Sequence, residues 1–192
     1  YNYYYMNWLT KYKNKLGVRF NTFETLFMLA NERDLKNIIE TGTARGKEKF
    51  YYLKPRINWN DGMSTILFAE YAKNISGSFW SCDIDSRNIY NASNFIKNLN
   101  CKVNFVVADS HDFLRNCSMI IDILYLDSLD GNMPKANEHQ LIEAQLASIN
   151  MNDNGLIILD DKGSKTELSI PFLKSKGWKI ILENEQQVLF SK

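Results

Sequence analysis

The sequence predicts a doubly wound α/β fold. The expected form is a Rossmann-like, seven-stranded sheet, mostly parallel with an antiparallel last strand and helices on both faces. Three observations predict it. Short runs rich in Ile, Val and Leu alternate with amphipathic stretches along most of the chain. Those runs carry little polar alternation, as parallel strands buried on both faces do. The last two runs are joined too tightly for a crossover helix, so they should pair antiparallel.

The elements follow in order. Residues 1–20 are rich in Tyr, Asn and Lys without a clean period, and read as an N-terminal arm or loose helix. Asn21-Thr22-Phe23-Glu24 has the spacing of a capping box. Phe23, Leu26, Phe27 and Ala30 then recur at helical intervals, which predicts a helix near 22–32. The first strand is 36–41, followed by an amphipathic helix at 64–73, a second strand at 78–84 and a helix at 86–99. The third strand is 102–108 and the fourth 120–127. A helix near 138–149 leads to the fifth strand at 155–160. Another helix lies near 165–176, and 178–183 with 187–191 form the closing pair. No internal repeat or low-complexity linker interrupts this series, and 192 residues suit one α/β domain with a single core.

Composition narrows the function. The formal net charge is +1 and the basic residues are scattered among acids, so the chain lacks the basic stripe of a nucleic-acid binder. Cys82, Cys101 and Cys117 are odd in number and widely spaced, which suits reduced thiols in a cytoplasmic protein better than disulfides or a zinc site. No apolar run approaches the roughly 20 residues that span a bilayer. The first residues have no signal-peptide pattern either.

Chemistry gathers at the strand ends. In open α/β sheets ligands bind beyond the carboxyl ends of the strands. Here strand one ends in Glu40-Thr41-Gly42 and strand two in Asp83-Ile84-Asp85. Strand three ends in Ala108-Asp109-Ser110, strand four in Asp127-Ser128 and strand five in Asp160-Asp161. Asp and Ser also favour turns and helix N-caps, so each position alone has a purely structural reading. Five together are harder to explain that way, because clustered carboxylates repel unless cations or donors compensate them.

This pattern resembles the class I S-adenosylmethionine-dependent methyltransferases, from about Asn37 to the C-terminus. Their acid-x-Gly turn matches Glu40-Thr41-Gly42-Thr43, which the resemblance places against the methionine part of S-adenosylmethionine. It assigns Asp83 to the ribose hydroxyls, where a carboxylate accepts charge-assisted bonds, and Asp109 and Ser110 to the border of the adenine. The family's turn runs directly into a helix, whereas here 47–60 intervenes before Asp61-Gly62-Met63-Ser64-Thr65. The stretch reads as an insertion in the cofactor loop, with Ser64 still opening the helix near the methionine carboxylate. Phe50, Tyr51, Tyr52 and Trp59 make it a lid or substrate wall, or an ordinary surface excursion.

Within that family the chain looks most like metal-dependent sugar O-methyltransferases of the macrocin type. The resemblance rests on Asp127 with Asp160-Asp161, which it implies hold a divalent cation, Mg²⁺ or Mn²⁺. Hard oxygen ligands suit either ion. The cation would lower the pKa of a bound hydroxyl and fix it for attack on the methyl group. An N-cap with a solvated neighbour gives the same Asp-Asp pair. The implied acceptor is a small molecule or a sugar-nucleotide or glycan, with no nucleic acid and no membrane span, and room remains for a homo-oligomer. Asp127 is a catalytic candidate through that cation. His139, beside Glu138 and Gln140, is a candidate general base, although a capping histidine looks the same. His111 reads as structural, Lys162 as an electrostatic helper or an exposed lysine, and Asp130 as a substitute ligand.

Other ligands fit less well. Gly42-x-x-x-Gly46-Lys47 is one residue short of a P-loop, and Glu48 stands where a Ser or Thr would hold Mg²⁺. A nicotinamide dehydrogenase would lack its third glycine and would leave Asp160-Asp161 without purpose. Amino-methylating nucleic-acid enzymes carry a polar-Pro-Pro-aromatic motif after strand four, where this chain has Asp127-Ser128-Leu129-Asp130. The alternative from another class is a non-catalytic, methyltransferase-like binding or assembly module.

Overall fold

A computed structural model describes residues 7–48, 56–59 and 62–192. Its main sheet has seven strands: β1 (Asn37–Thr41), β2 (Ser78–Asp83), β3 (Asn104–Val107), β4 (Ile121–Leu126), β5 (Met151–Leu159), β6 (Lys179–Glu183) and β7 (Val188–Ser191). The spatial order is β3-β2-β1-β4-β5-β7-β6. β1 pairs parallel with β2 and β4, and β7 runs antiparallel between β5 and β6. The strand order reverses between β1 and β4. That is the topological switch point, where a ligand is expected.

Six helices connect and cover these strands: α1 (Phe20–Glu32), α2 (Ser64–Ile75), α3 (Ser86–Ile96), α4 (Ser110–Arg115), α5 (Ala136–Ala147) and α6 (Ser169–Ser175). Two apolar layers result, one on each face of the sheet. One gathers Phe23, Phe27, Phe68, Phe79 and Tyr125 around α1 and α2. The other gathers Ile39, Leu124, Leu126, Ile157 and Phe190 beneath the α5–α6 side. Successive side chains of a strand point to opposite faces, so Ile38 and Ile39 fall in different layers.

Of its two readings, arm or loose helix, the N-terminal segment takes the helical one over its described part: it forms helical turns at Asn7–Thr10 and Lys13–Leu16, with Leu9, Tyr12 and Leu16 buried in the core. Asn21 does not cap a helix, because a 3₁₀ turn at Gly17–Arg19 feeds directly into α1 and places Asn21 inside its first turn. The short helix α4, in the stretch between the third and fourth strands that the sequence left unassigned, is started by Asp109, whose side chain accepts from the His111 backbone N–H at 2.9 Å. Of the 47–60 stretch, Lys47–Glu48 pairs antiparallel with Arg56–Ile57. Phe50, Tyr51 and Tyr52 lie outside the described residues.

Candidate functional site

The β1 turn is built from the inside outward. Glu40 is fully buried, and its carboxylate accepts from Ser64 Oγ at 2.6 Å, Thr65 Oγ1 at 2.7 Å and Ser81 Oγ at 2.6 Å. Thr65 Oγ1 in turn accepts from the Ala44 N–H at 2.9 Å. Glu40 and Ser64 therefore face each other across the base of the turn, and both side chains are buried there. They hold the turn against the start of α2. Burial pushes the Glu40 carboxyl up to about 7, against the three hydroxyl donors that favour its ionised form and with the help of nearby Asp83.

Two glycines shape the loop. Gly42 has φ +79°, and a Cβ there would lie 2.2 Å from the Asp127 carbonyl oxygen, so the turn comes against the end of β4 only as glycine. Gly62 has φ +65°, and its Cβ would lie 2.9 Å from the Thr43 carbonyl oxygen. The chain thus returns to the turn at Gly62 after the intervening stretch. The Trp59 ring packs 5.1 Å from that of Tyr12, and the Trp59 carbonyl accepts from the buried Arg19.

Beyond this turn lies a cleft of about 170 Å³. Gly42, Asp83, Asp109, Ser110 and His139 line it, together with the apolar Ile84 and Leu129. Asp83 accepts from the Thr43 N–H at 3.1 Å, the Asp85 N–H at 2.8 Å and Asn88 Nδ2 at 3.2 Å. One carboxylate thus ties the β1 turn to the end of β2. Ile84 is 72% exposed, an apolar side chain held at the mouth of the cleft rather than in the core.

The floor of the cleft is a polar knot that the sequence did not reveal. His139 Nε2 lies 2.9 Å from Ser128 Oγ and 3.1 Å from Ser110 Oγ. The wholly buried Glu143 lies one helical turn further along α5, its Oε1 3.7 Å from the same nitrogen. Glu143 raises the His139 pKa against the effect of burial. Burial opposes the charge on Glu143, but His139 and the Ser110 and Ser128 hydroxyls outweigh it and hold the carboxyl below its ordinary value. His111 stacks on His139 with ring centroids 4.1 Å apart. Its Nε2 lies 3.1 Å from the His139 carbonyl oxygen. The (i, i+4) spacing of His139 and Glu143 was the available signal.

The ends of β4 and β5 bring Asp127, Asp160 and Asp161 together, with one carboxylate oxygen of each within 4.8 Å of the others. Asp161 sits at φ +55°, a left-handed conformation uncommon for a residue other than glycine. Asp160 Oδ1 is buried without a hydrogen-bond partner among the described residues. Lys165, 1% exposed, places its Nζ 3.2 Å from Asp127 Oδ1 and 3.1 Å from Asp161 Oδ2. Burial and Asp160 drive the Asp127 carboxyl well above its ordinary range, with Lys165 opposing them. The Asp160 carboxyl is raised by burial and by Asp161, with Arg19 and Lys165 pulling the other way. The cluster therefore holds more negative charge than its lysine balances. Its hard oxygens and the orphaned Asp160 Oδ1 fit a divalent cation.

Beside this cluster opens a polar cavity of about 530 Å³, bounded by Arg45, Asp130, Asn132, Asp161, Lys162 and Gln186. The 128–131 segment runs between the two hollows, with Ser128 and Leu129 facing the first and Asp130 and Gly131 the second. Asp130 is not a substitute ligand: Arg45 holds it in a two-pronged pair at 2.8 and 3.1 Å. Lys162 is paired with Glu183 at 3.3 Å rather than aimed at the acids.

No protein-family model matches the chain, and no curated protein does. Solved structures do match its fold. The SAH-bound methyltransferase PaMTH1 of Podospora anserina superimposes with a TM-score of 0.64 at 11% identity, over 98% of this chain and 86% of that one. The O-methyltransferase NovP matches with a TM-score of 0.65 at 11% identity, over 90% and 78%. SMU.1697c of Streptococcus mutans, in complex with SAH, matches at 0.59 and 9% identity, over 90% and 96%. The chain has the fold of these methyltransferases. None of the helices among the described residues is long and apolar enough to cross a membrane.

Proposed function

We propose that the chain is an S-adenosylmethionine-dependent O-methyltransferase acting on a hydroxyl of a small, polyhydroxylated acceptor such as a sugar-nucleotide or glycan unit. The observation that carries this reading is the pairing of two hollows on one sheet edge, a cleft at the β1 turn and a polar cavity beside three carboxylates, divided only by 128–131. The turn at Gly42 and Thr43 would take the methionine part of the cofactor, Asp83 the ribose hydroxyls, and Asp109 with Ser110 the adenine border. Glu40 and Ser64 position that turn from beneath. The cleft is smaller than the roughly 300–1,000 Å³ usual for ligand pockets, so it would have to widen to take the cofactor.

The acceptor would lie in the polar cavity, where Arg45, Asn132 and Gln186 offer donors to hydroxyls. Asp127, Asp160 and Asp161 would hold Mg²⁺ or Mn²⁺, which supplies Lewis-acid polarisation of the reacting oxygen. His139 is better suited to fixing the cleft floor than to taking the acceptor's proton, because its Nε2 is turned to Ser110 and Ser128. The test is calorimetry with S-adenosylhomocysteine, followed by transfer of labelled methyl groups to polyhydroxylated acceptors with and without Mn²⁺. The expected outcome is micromolar binding and metal-stimulated transfer. No binding at millimolar cofactor would leave a non-catalytic module and end the enzyme reading.

A further inference from the structure

Lys165 stands where the three carboxylates would receive a cation. Its Nζ bonds Asp127 Oδ1 and Asp161 Oδ2, two of the three proposed ligand residues, and its side chain is almost wholly buried. A divalent ion on those same oxygens would bind at roughly 2.0–2.6 Å. It would then lie no farther than about 5–6 Å from the ammonium if the lysine stayed in place. Like charges that close repel strongly.

We propose that Lys165 is a resident counter-charge that a divalent cation must displace, so that this lysine sets how weakly the site binds metal. The inference rests on the metal reading of Asp127, Asp160 and Asp161, and it concerns what limits that binding. Two features support a displaceable lysine. The buried Asp160 Oδ1 remains without a partner among the described residues, so the ammonium does not satisfy the whole cluster. The side chain also has somewhere to go: the adjoining polar cavity carries Glu185 in its wall. A four-carbon stem with a compact charge can make that swing.

The experiment measures Mn²⁺ affinity by electron paramagnetic resonance of the free ion, using the full chain saturated with S-adenosylhomocysteine. Lys165→Met removes the charge while keeping an unbranched stem, and Lys165→Arg keeps the charge. The expected result is at least tenfold tighter Mn²⁺ binding in Lys165→Met and little change in Lys165→Arg. Should Lys165→Met fail to fold, the wild type still decides the matter: Mg²⁺ should shift the Lys165 ε-methylene resonance as it saturates the site. Metal binding that is equal or weaker in Lys165→Met, or Mg²⁺ binding that leaves that resonance still, overturns the inference and leaves the metal reading standing. Failure of wild type and variant alike to bind any divalent ion removes both.

Discussion

Glu40 lends itself to a quantitative test because two strong effects oppose each other on one carboxyl. Three hydroxyls donate to it, which favours the ionised form, and complete burial favours the neutral one. Burial prevails, and the pKa rises from 4.5 to about 7. Such a rise has a definite sign for stability. Between the unfolded and folded pKa values the folded chain binds more protons than the unfolded one, so stability falls as pH increases. The contribution is complete below about pH 4.5 and is lost as pH rises through about 7. A shift of that size corresponds to about 3 kcal/mol at 1.36 kcal/mol per unit. Glu40→Gln carries a neutral side chain of the same shape at every pH. The difference in unfolding free energy, wild type minus Glu40→Gln, should therefore fall by about 3 kcal/mol between pH 4.5 and pH 8. Urea denaturation at half-unit intervals measures it. Parallel stability curves for the two proteins would refute the reasoning. A difference that grows with pH would show that the hydroxyls outweigh burial.

Three further substitutions probe the same edge of the sheet. Gly42→Ala places a methyl 2.2 Å from the Asp127 carbonyl oxygen at a positive φ; it should cost at least about 2 kcal/mol in thermal or urea unfolding and abolish S-adenosylhomocysteine binding by calorimetry. Glu143→Gln removes the charge that raises the His139 pKa, so the His139 ring resonances should titrate at lower pH. In the wild type the stability from this raised pKa is present below the unfolded histidine value and lost as pH rises through the folded one; Glu143→Gln should flatten that loss in denaturation curves. Arg19→Met leaves the Trp59 carbonyl without its donor and removes a positive charge that favours ionised Asp160. It should destabilise the chain by about 1–3 kcal/mol in urea titrations and loosen Trp59, read as a red shift of the tryptophan emission.

The fold was legible in the sequence because its signals are local and repeated. Runs such as Ile123–Leu126 and Gly155–Leu159 are too uniformly apolar for any place but a covered parallel sheet. The tight join between 183 and 187 dictated the antiparallel closure. What escaped was set by contacts across the chain. Asn21 and Glu24 have capping-box spacing, but Gly17–Arg19 was already helical, so there was no free terminus to cap. Arg19 fell within the stretch read as an arm or loose helix, with no sequence signal that it would be buried. Its burial against Trp59 depends on a residue 40 positions away.

The site shows the same division more sharply. Spacing located the acids at the carboxyl edge, and all of them are there. Pattern alone could not sort them, because an acid's role depends on which donors the fold brings to it. Glu40 meets three hydroxyls and no solvent, which makes it a strut. Asp83 meets backbone N–H groups from two segments and still faces the cleft, so it can tie the turn and accept from a ligand together. Asp109 gives one oxygen to the α4 N-terminus and also faces the cleft. Asp130 is consumed by Arg45. Asp127, Asp160 and Asp161 alone among the described residues bring three carboxylates together, and even there Lys165 has taken the first share. The excess over that lysine is what separates this cluster from the struts and caps along the same edge. It is a charge that a proton or a divalent ion must supply.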